Sequence, residues 1–282
     1  MARSRKKVNN KRLLWFSISA VVLMALILTA VFLIMKANEP ENLDDQPNSK
    51  PPMVSYYNPD DFILDENGFM TCLTEDYSIG IDVSSHQGEI DWQQVKDAGI
   101  EFVFIRVGRR GTTEGQLYLD ELAQQNYQGA KEVGLKVGAY FFSQAITPKE
   151  AEEEAWFVLK EIADWELDLP MVYDWEWGGE GSRTTDLSAS ILTQCNLSFC
   201  QIIYNAGLDA MIYFNEHQGL EQMDLEAINW PDYWLAMYDS PMIFPYQVDC
   251  WQYTQTGTVP GITGNVDLNI YLHGQKELPQ SE

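Results

Sequence analysis

Short apolar segments alternate, along most of the last two-thirds of this chain, with segments whose apolar residues have helical spacing. Apolar segments joined by helices are typical of a parallel sheet that is buried on both faces. The segments with strand character are 78–85, 101–108, 135–143, 170–177, 209–215, 232–238, 247–254 and 264–271. The segments with helical spacing are 91–99, 117–133, 148–163 and 185–206. The order predicts an α/β fold, an irregular TIM-like β/α barrel with five β/α units followed by three strands.

The N-terminal region has the pattern of a membrane anchor. Residues 1–12 contain six Lys and Arg residues, and residues 13–35 are an apolar run of 23 residues. About 20 apolar residues span a bilayer as a helix, and basic residues favour the cytoplasmic side. We therefore expect one N-terminal transmembrane helix, with an unusually long cleaved signal peptide as the alternative.

This pattern divides the chain into five expected regions. They are a basic cytoplasmic tail at 1–12, a transmembrane helix at 13–35, an extracellular stalk and lead-in at 36–77, a barrel domain at 78–275, and a C-terminal tail at 276–282. The expected location is thus the cell membrane, with a single pass, a cytoplasmic N-terminus and the barrel outside the cell.

The expected exterior part is strongly acidic, with 10 Lys and Arg against 38 Asp and Glu in residues 51–282. This charge argues against nucleic acid as a partner, because nucleic-acid binding needs basic patches. Four cysteines, Cys72, Cys195, Cys200 and Cys250, permit three disulfide connectivities, and the sequence does not choose among them. The three histidines are scattered and no Cys-x-x-Cys occurs, so we predict no structural zinc site.

Acids and aromatic residues recur at the ends of the predicted strands, where a parallel barrel carries its chemistry. Asp174 and Glu176 are two residues apart at the end of one apolar strand, so they should face the same side. Two carboxyl groups held close together repel, and one of them keeps its proton near neutral pH. A protonated acid beside an ionised one suits glycosidic bond cleavage. A divalent cation held by the carboxylates is the alternative.

Several other residues need an interpretation at this stage. Trp175 and Trp156 are expected in the core, whereas Trp177 could lie in a groove or a loop. His86 follows the first strand and is expected to hydrogen-bond within a loop, although a place near the mouth of the barrel keeps a catalytic role open. Arg109 and Arg110 are interpreted as loop charges.

Seven motifs together resemble glycoside hydrolase family 25, the Chalaropsis-type lysozymes or N-acetylmuramidases. The motifs are GIDVSSHQG (80–88), FVFIRVGRRG (102–111), VGAYFFS (137–143), VYDWEW (172–177), YWLAMY (233–238), WQYT (251–254) and GNVDLNIY (264–271). Each motif alone is weak evidence, but seven in order are specific. The family fold, a barrel of five β/α units and three strands, agrees with the pattern above.

The resemblance implies a role for each matching residue. Glu176 is the expected general acid, Asp174 its partner at the reaction centre, and Asp82 and Asp267 complete the acidic cluster. The residues expected to bind the sugar are Tyr140, Tyr213, Trp234, Tyr238, Gln252 and Arg106. Arg106 could pair with an acid of the cluster or form an ordinary ion pair of the barrel.

The implied activity is hydrolysis of the β-1,4 bond between N-acetylmuramic acid and N-acetylglucosamine in peptidoglycan, for remodelling or turnover of the cell wall. The implied partner is the glycan strand, and no cofactor or metal is expected. Attack by water with inversion and attack by the substrate's own 2-acetamido group with retention both stay open, with the second favoured by the resemblance. A catalytically inactive glycan-binding scaffold is the alternative function.

Overall fold

Eight strands close into a barrel in the computed structural model, which describes residues 54–275. The strands are β1 (Phe62–Leu64), β2 (Met70–Cys72), β3 (Glu75–Val83), β4 (Phe102–Arg110), β5 (Leu117–Leu119), β6 (Lys136–Ser143), β7 (Met171–Trp175), β8 (Ala210–Asn215), β9 (Asp232–Ala236), β10 (Cys250–Gly257) and β11 (Val266–Gln275). The α-helices are α1 (Trp92–Asp97), α2 (Ala123–Glu132), α3 (Pro148–Glu161) and α4 (Ala189–Asn205). A π-helical turn, Gln218–Gln222, follows β8.

The barrel is mostly parallel and is closed by one antiparallel strand. Around the ring the order is β3, β4, β6, β7, β8, β9, β10 and β11, and β11 pairs again with β3. Six successive pairings from β3 to β10 are parallel, whereas β11 runs antiparallel to both of its neighbours. The predicted α/β barrel is confirmed. The direction of β11 means that its amino end, not its carboxyl end, lies beside the carboxyl ends of the other strands.

Some predicted boundaries were wrong for local reasons. The segment 117–133 is not one helix, because Leu117–Leu119 forms the strand β5 and pairs antiparallel with the end of β4. The last predicted helix begins at Ala189 and not at residue 185. The side chain of Ser188 caps this start by accepting from the main-chain N–H of Ile191. The other helices begin and end within a few residues of the predicted positions.

The apolar core has two layers separated by the barrel wall. The inner layer contains aromatic rings from alternate strand positions, including Phe102, Phe104 and Trp234. Phe104 stacks on Trp234 with ring centroids 4.7 Å apart. An ideal Cβ on Gly138 would lie 2.3 Å from the ring of Phe104, so a glycine is required on the neighbouring strand. The outer layer packs the other strand faces against the helices.

The two tryptophans expected in the core have different outcomes. Trp175 is buried, as predicted, and its indole Nε1 donates to the main-chain carbonyl of Ala145 at 2.9 Å. The prediction for Trp156 was wrong, since its side chain is 63% exposed. Helix α3 buries residues 151, 154, 155 and 158, which form one stripe along the helix. Trp156 follows residue 155 and lies on a different face of the helix.

Residues 54–74 pack on the edge of the barrel through the β1–β2 hairpin. The main-chain N–H of Met70 donates to the hydroxyl of Tyr253 at 3.1 Å. Within residues 54–275 no helix is both long and apolar enough to cross a bilayer. The predicted tail 1–12, the predicted anchor 13–35, most of the stalk and the tail 276–282 lie outside the described residues.

Candidate active site

A cavity of about 430 Å³ opens at the end of the barrel where the parallel strands finish. All ten residues that the sequence analysis selected line this cavity. They are Asp82, Arg106, Tyr140, Asp174, Glu176, Tyr213, Trp234, Tyr238, Gln252 and Asp267. The lining also contains residues that the sequence analysis did not select, namely Ser84, Gln87, Phe142, Asn215, Ala236 and Gln255.

Asp82 and Asp267 meet because of the antiparallel pairing of β3 and β11. Asp82 lies near the carboxyl end of β3 and is directly opposite Asp267, the second residue of β11. Cross-strand neighbours of this kind have Cβ atoms about 4.5–5.5 Å apart. Two acids from distant parts of the chain are thereby fixed in one part of the cavity.

Asp82 is buried but has two hydrogen-bond donors from neighbouring strands. Gln252 Nε2 and Asn269 Nδ2 both donate to Asp82 Oδ1, at 2.7 and 2.8 Å. Asn269 is itself oriented by Trp234, whose indole Nε1 donates to Asn269 Oδ1 at 2.9 Å. Asn269 is two residues after Asp267 on the same strand, so the alternation of side chains could have identified it from the sequence.

Two tyrosines orient the amide of Gln252. The hydroxyl of Tyr213 donates to Gln252 Oε1 at 2.8 Å, and the hydroxyl of Tyr238 donates to the same oxygen. With its oxygen occupied, Gln252 must direct its NH₂ group towards Asp82. The cavity wall is therefore a connected network, in which aromatic side chains expected to bind sugar also position an acid.

Asp174 and Glu176 face the cavity from the end of β7, while Trp175 between them points into the outer core. Asp174 is within the strand, and Glu176 is the first residue after it. Asp174 Oδ1 is buried and has no hydrogen-bond partner among residues 54–275. It is an acceptor that no described residue satisfies, on a side chain that lines the cavity.

The environment of the four carboxyl groups favours their protonated forms. Burial and the charge of Glu176 raise the pKa of Asp174. Burial and the charge of Asp267 raise the pKa of Glu176. Burial raises the pKa of Asp267 to about 6. Burial and Asp267 also raise the pKa of Asp82, although the amides of Asn269 and Gln252 oppose this by stabilising the ionised form.

Arg106 lies in the cavity wall, but its ion pair is not with the acids of the cavity. Its Nε donates to Asp120 Oδ2 at 2.9 Å, and both side chains are buried. Asp120 also accepts from the main-chain N–H of Ser85, and Arg106 donates to Ser85 Oγ. The positive charge of Arg106 partly opposes the rise in the pKa of Asp174 that burial and Glu176 cause. Asp120, a buried residue directly after β5, was missed because strand β5 itself was predicted as helix.

The interpretation of the next two arginines as loop charges was wrong. Both belong to strand β4, and Arg109 lies over the ring of Tyr118 with its Cζ 4.7 Å from the ring centroid. Arg110 is buried, and its Nε donates to Glu154 Oε1 at 2.6 Å. Glu154 is on α3, so this ion pair joins the barrel wall to a helix behind it.

His86 and Trp177 lie at the edge of the site. His86 is exposed and lines the cavity from a short 3₁₀ turn, Ser85–Gln87. Trp177 is 53% exposed, follows Glu176 and is not part of the cavity lining, so of the two alternatives the loop agrees with the structure.

Among the described residues no group of His, Cys, Asp and Glu has the arrangement needed to hold a metal ion. Cys195, Cys200 and Cys250 are buried free thiols, and Cys72 is buried with its Sγ 3.8 Å from Thr74 Oγ1. Cys195 and Cys200 both lie on α4.

Residues 81–262 match the glycosyl hydrolases family 25. This chain belongs to that family. The autolytic lysozyme of Clostridium acetobutylicum is 32% identical over 197 residues, which cover 69% of this chain and 56% of that protein. Lysozyme M1 of Streptomyces globisporus is 31% identical over 203 residues, covering 68% of this chain and 67% of the relative.

A solved structure agrees with the family assignment. The bacterial lysozyme from Streptomyces coelicolor has a TM-score of 0.56 and 28% identity, covering 70% of this chain and 92% of that one. The predicted resemblance to family 25 is thus confirmed. This family 25 chain spans little more than half the length of the clostridial relative.

Proposed function

We propose that this family 25 protein is a lysozyme that hydrolyses the β-1,4 bond between N-acetylmuramic acid and N-acetylglucosamine in peptidoglycan. The observation that carries the proposal is the cavity in which four carboxyl groups from three strands meet hydroxyl, amide and aromatic side chains. Glycosidic cleavage needs a protonated acid next to an ionised carboxylate, and burial among like charges creates that combination.

Glu176 is the proposed general acid. Burial and Asp267 raise its pKa, which favours the protonated form that can donate to the leaving oxygen. Glu176 follows the end of β7 and is only partly buried, whereas Asp174, two residues earlier within the strand, is buried. The more accessible of the two acids is the better placed to reach a glycosidic oxygen.

Asp174 is the proposed partner of the reaction centre in a retaining, substrate-assisted reaction. Attack by the 2-acetamido group of the sugar requires an acceptor for the amide N–H, because the nitrogen gains positive charge as its carbonyl oxygen attacks. Asp174 Oδ1 has no hydrogen-bond partner among the described residues and lines the cavity, which fits this task. Inverting attack by water is the competing mechanism, and the stereochemistry of the product distinguishes them.

Asp82 and Asp267 are proposed to complete the negative field around the oxocarbenium-like centre. The amides of Gln252 and Asn269 both donate to Asp82 and stabilise its ionised form, against the rise in its pKa that burial and Asp267 cause. Negative charge at this depth stabilises positive charge that develops on the sugar ring in the transition state.

The remaining side chains of the cavity are proposed to bind the sugar. Tyr140, Tyr213 and Tyr238 offer flat apolar faces to sugar C–H groups and hydroxyls for hydrogen bonds. Trp234 is 2% exposed and stacked on Phe104, so we assign it to the floor of the cavity. Arg106 is proposed to hold the wall through Asp120 and Ser85.

The location is proposed from the sequence. The run of 23 apolar residues at 13–35, with six basic residues before it, supports a single-pass membrane anchor with a cytoplasmic N-terminus. The barrel would then act outside the cell on wall peptidoglycan, in remodelling or turnover.

Mass analysis of the products from purified peptidoglycan tests the activity and the bond together. We expect fragments with N-acetylmuramic acid at the reducing end. The alternative, a glycan-binding scaffold without catalysis, predicts binding to peptidoglycan with no new reducing ends over a range of pH and of substrate acetylation. Fragments that end in reducing N-acetylglucosamine would contradict the bond assignment.

A further inference from the structure

The main chain leaves the sheet at the point where it presents Glu176. The β6–β7 pairing ends at Ser143 and Trp175, and the β7–β8 pairing ends at Asp174 and Tyr213. Glu176 therefore lies beyond the paired positions of both ladders, and Trp175 lies beyond those of the β7–β8 ladder. Main-chain polar groups in a buried setting need other partners, or they cost free energy.

Two buried glutamine side chains supply those partners. Gln144 Nε2 donates to the main-chain carbonyl of Glu176 at 2.5 Å, from the residue that follows β6. Gln218 Nε2 donates to the carbonyl of Trp175 at 3.1 Å, from the π-helical turn that follows β8. Gln144 is fully buried and Gln218 is 2% exposed. Consecutive carbonyls at the end of β7 are thus held from the two neighbouring strands.

Gln144 is itself held in a fixed position. Its Nε2 also donates to the main-chain carbonyl of Ser143 at 3.1 Å. The hydroxyl of Ser143 donates to Glu154 Oε2 at 2.6 Å and accepts from the main-chain N–H of Ala145. Glu154 in turn binds Arg110. A connected set of buried bonds therefore runs from the core behind the barrel to the carbonyl of Glu176.

Gly178 leaves the space that Gln144 occupies. An ideal Cβ at residue 178 would lie 2.4 Å from Gln144 Oε1 and 2.8 Å from the Cβ of Ser182. A methyl group there would displace the glutamine amide or the loop. The buried amide of Gln144, the carbonyl of Glu176 and the glycine at 178 thus act together on the main chain at Glu176.

We propose that Gln144 is a positioning residue for Glu176, with Gly178 as the second requirement. The amide fixes the backbone of Glu176 past the strand end and so keeps its carboxyl group in the buried, like-charged part of the cavity. This inference rests on the proposed function for its kinetic consequence. Its structural part, the position and titration of Glu176, can be measured without turnover.

The test compares Gln144→Met with the parent. Met has a similar length but no donor, so the carbonyl of Glu176 is released. A small misplacement of a catalytic group lowers kcat by roughly 10- to 100-fold, and we expect this with KM changed less than about twofold, since sugar contacts are untouched. The carboxyl ¹³C titration of Glu176 should move to lower pH as the group gains solvent. Gly178→Ala should show the same two changes.

Asn196→Leu is the matched control. Asn196 is also a fully buried amide whose Nδ2 donates to a main-chain carbonyl, that of Leu192 at 2.9 Å, but it lies on α4 away from the cavity. We expect Asn196→Leu to lower stability without moving kcat or the Glu176 titration at a temperature where it is folded. An unchanged Glu176 titration in both Gln144→Met and Gly178→Ala would overturn the inference. If the parent releases no sugar while the titration moves as expected, the proposed function fails and the positioning role stands.

Discussion

At the scale of single residues, the site depends on charges that are brought together rather than on any one side chain. Glu176 has a raised pKa because it is partly buried and because the charge of Asp267, 91 positions away in the sequence, disfavours its ionisation. The pairing Asp82 with Asp267 is fixed by strand register. A Coulombic contribution of this kind is testable by removing one charge.

We predict that Asp267→Asn lowers the pKa of Glu176. Loss of a neighbouring negative charge makes ionisation of Glu176 easier, so its carboxyl ¹³C titration should move to lower pH by on the order of one unit. The alkaline limb of kcat/KM should move the same way, because Glu176 acts in its protonated form. Asp186→Asn, which removes an exposed charge, is the control. A titration that stays in place in Asp267→Asn would show that the field argument is wrong.

The site residues that the sequence predicted lie on strands, where side chains alternate between the two faces. The residues that were missed lie in loops just after strands. Asp174 and Glu176 were identified because side chains on a strand alternate, and the structure places both at the cavity. Gln144, Gln218 and Asp120 lie just after strands, where no periodicity marks them. Only three-dimensional contacts show that they hold the strand ends.

At the scale of elements, the helix α3 shows why burial cannot be assigned from residue type. Glu154 is fully buried on this helix while Trp156 is exposed, the reverse of their usual preferences. The buried stripe at 151, 154, 155 and 158 explains both, and helical spacing alone could have predicted it.

Arg110 was missed because β4 continues through a Gly-Arg-Arg-Gly segment that reads as a turn, and its pairing with β5 keeps it extended.

We predict that Arg110→Met destabilises the fold by about 3–5 kcal/mol, because Glu154 loses its buried partner. Burial raises the pKa of Glu154 to about 7, while Arg110 opposes the rise. Without the arginine, the pKa of Glu154 rises further. At pH 6 the buried carboxyl group can take up a proton at little cost in stability. At higher pH folding must either bury the charged carboxylate, expose it or protonate it, and each costs more free energy. The loss of stability should therefore be larger at pH 8 than at pH 6.

The control for this prediction is the preceding residue. Arg109 is exposed and stacks on Tyr118, so Arg109→Met should change the free energy of unfolding by less than about 1 kcal/mol. Urea unfolding of the two variants at both pH values provides the measurement. Equal losses in the two variants, or an Arg110→Met loss that does not depend on pH, would contradict the assigned ion pair.

At the scale of the whole molecule, the barrel carries unfavourable charge at both ends. Opposite the cavity, Asp232 begins β9, Asp249 precedes β10 and Asp209 precedes β8. Burial, Asp249 and Asp209 together raise the pKa of Asp232 to about 7. An acid with a raised pKa in the folded state makes the fold less stable as pH rises from its unfolded value, about 4, to its folded value.

We predict that Asp232→Asn increases stability at pH 8 by on the order of 2 kcal/mol and has little effect near pH 4. The amide keeps the size of the side chain and removes the buried charge. Thermal unfolding as a function of pH measures this, with the exposed Asp164→Asn as the control. If the gain is the same at both pH values, the Asp232 charge is not what limits stability there.

The barrel and the order of its strands were predicted from the order of apolar and helical segments, but the direction of the last strand was not. The sequence pattern of β11 carries no sign of direction, since strands alternate in the same way whichever way they run. Its antiparallel pairing to β3 and β10 is a tertiary result, and it is what brings Asp267 to the cavity from the amino end of a strand.

The proposed lysozyme activity of this family 25 chain depends on Glu176 as the general acid. The most direct test treats purified peptidoglycan with the parent, with Glu176→Gln and with Glu180→Gln, an exposed acid four residues further along, and counts reducing N-acetylmuramic acid ends by mass analysis. We predict release by the parent and by Glu180→Gln, and a loss of at least about 100-fold in Glu176→Gln with the fold intact. Digestion by Glu176→Gln at the parent's rate would contradict the assignment of Glu176 as the general acid.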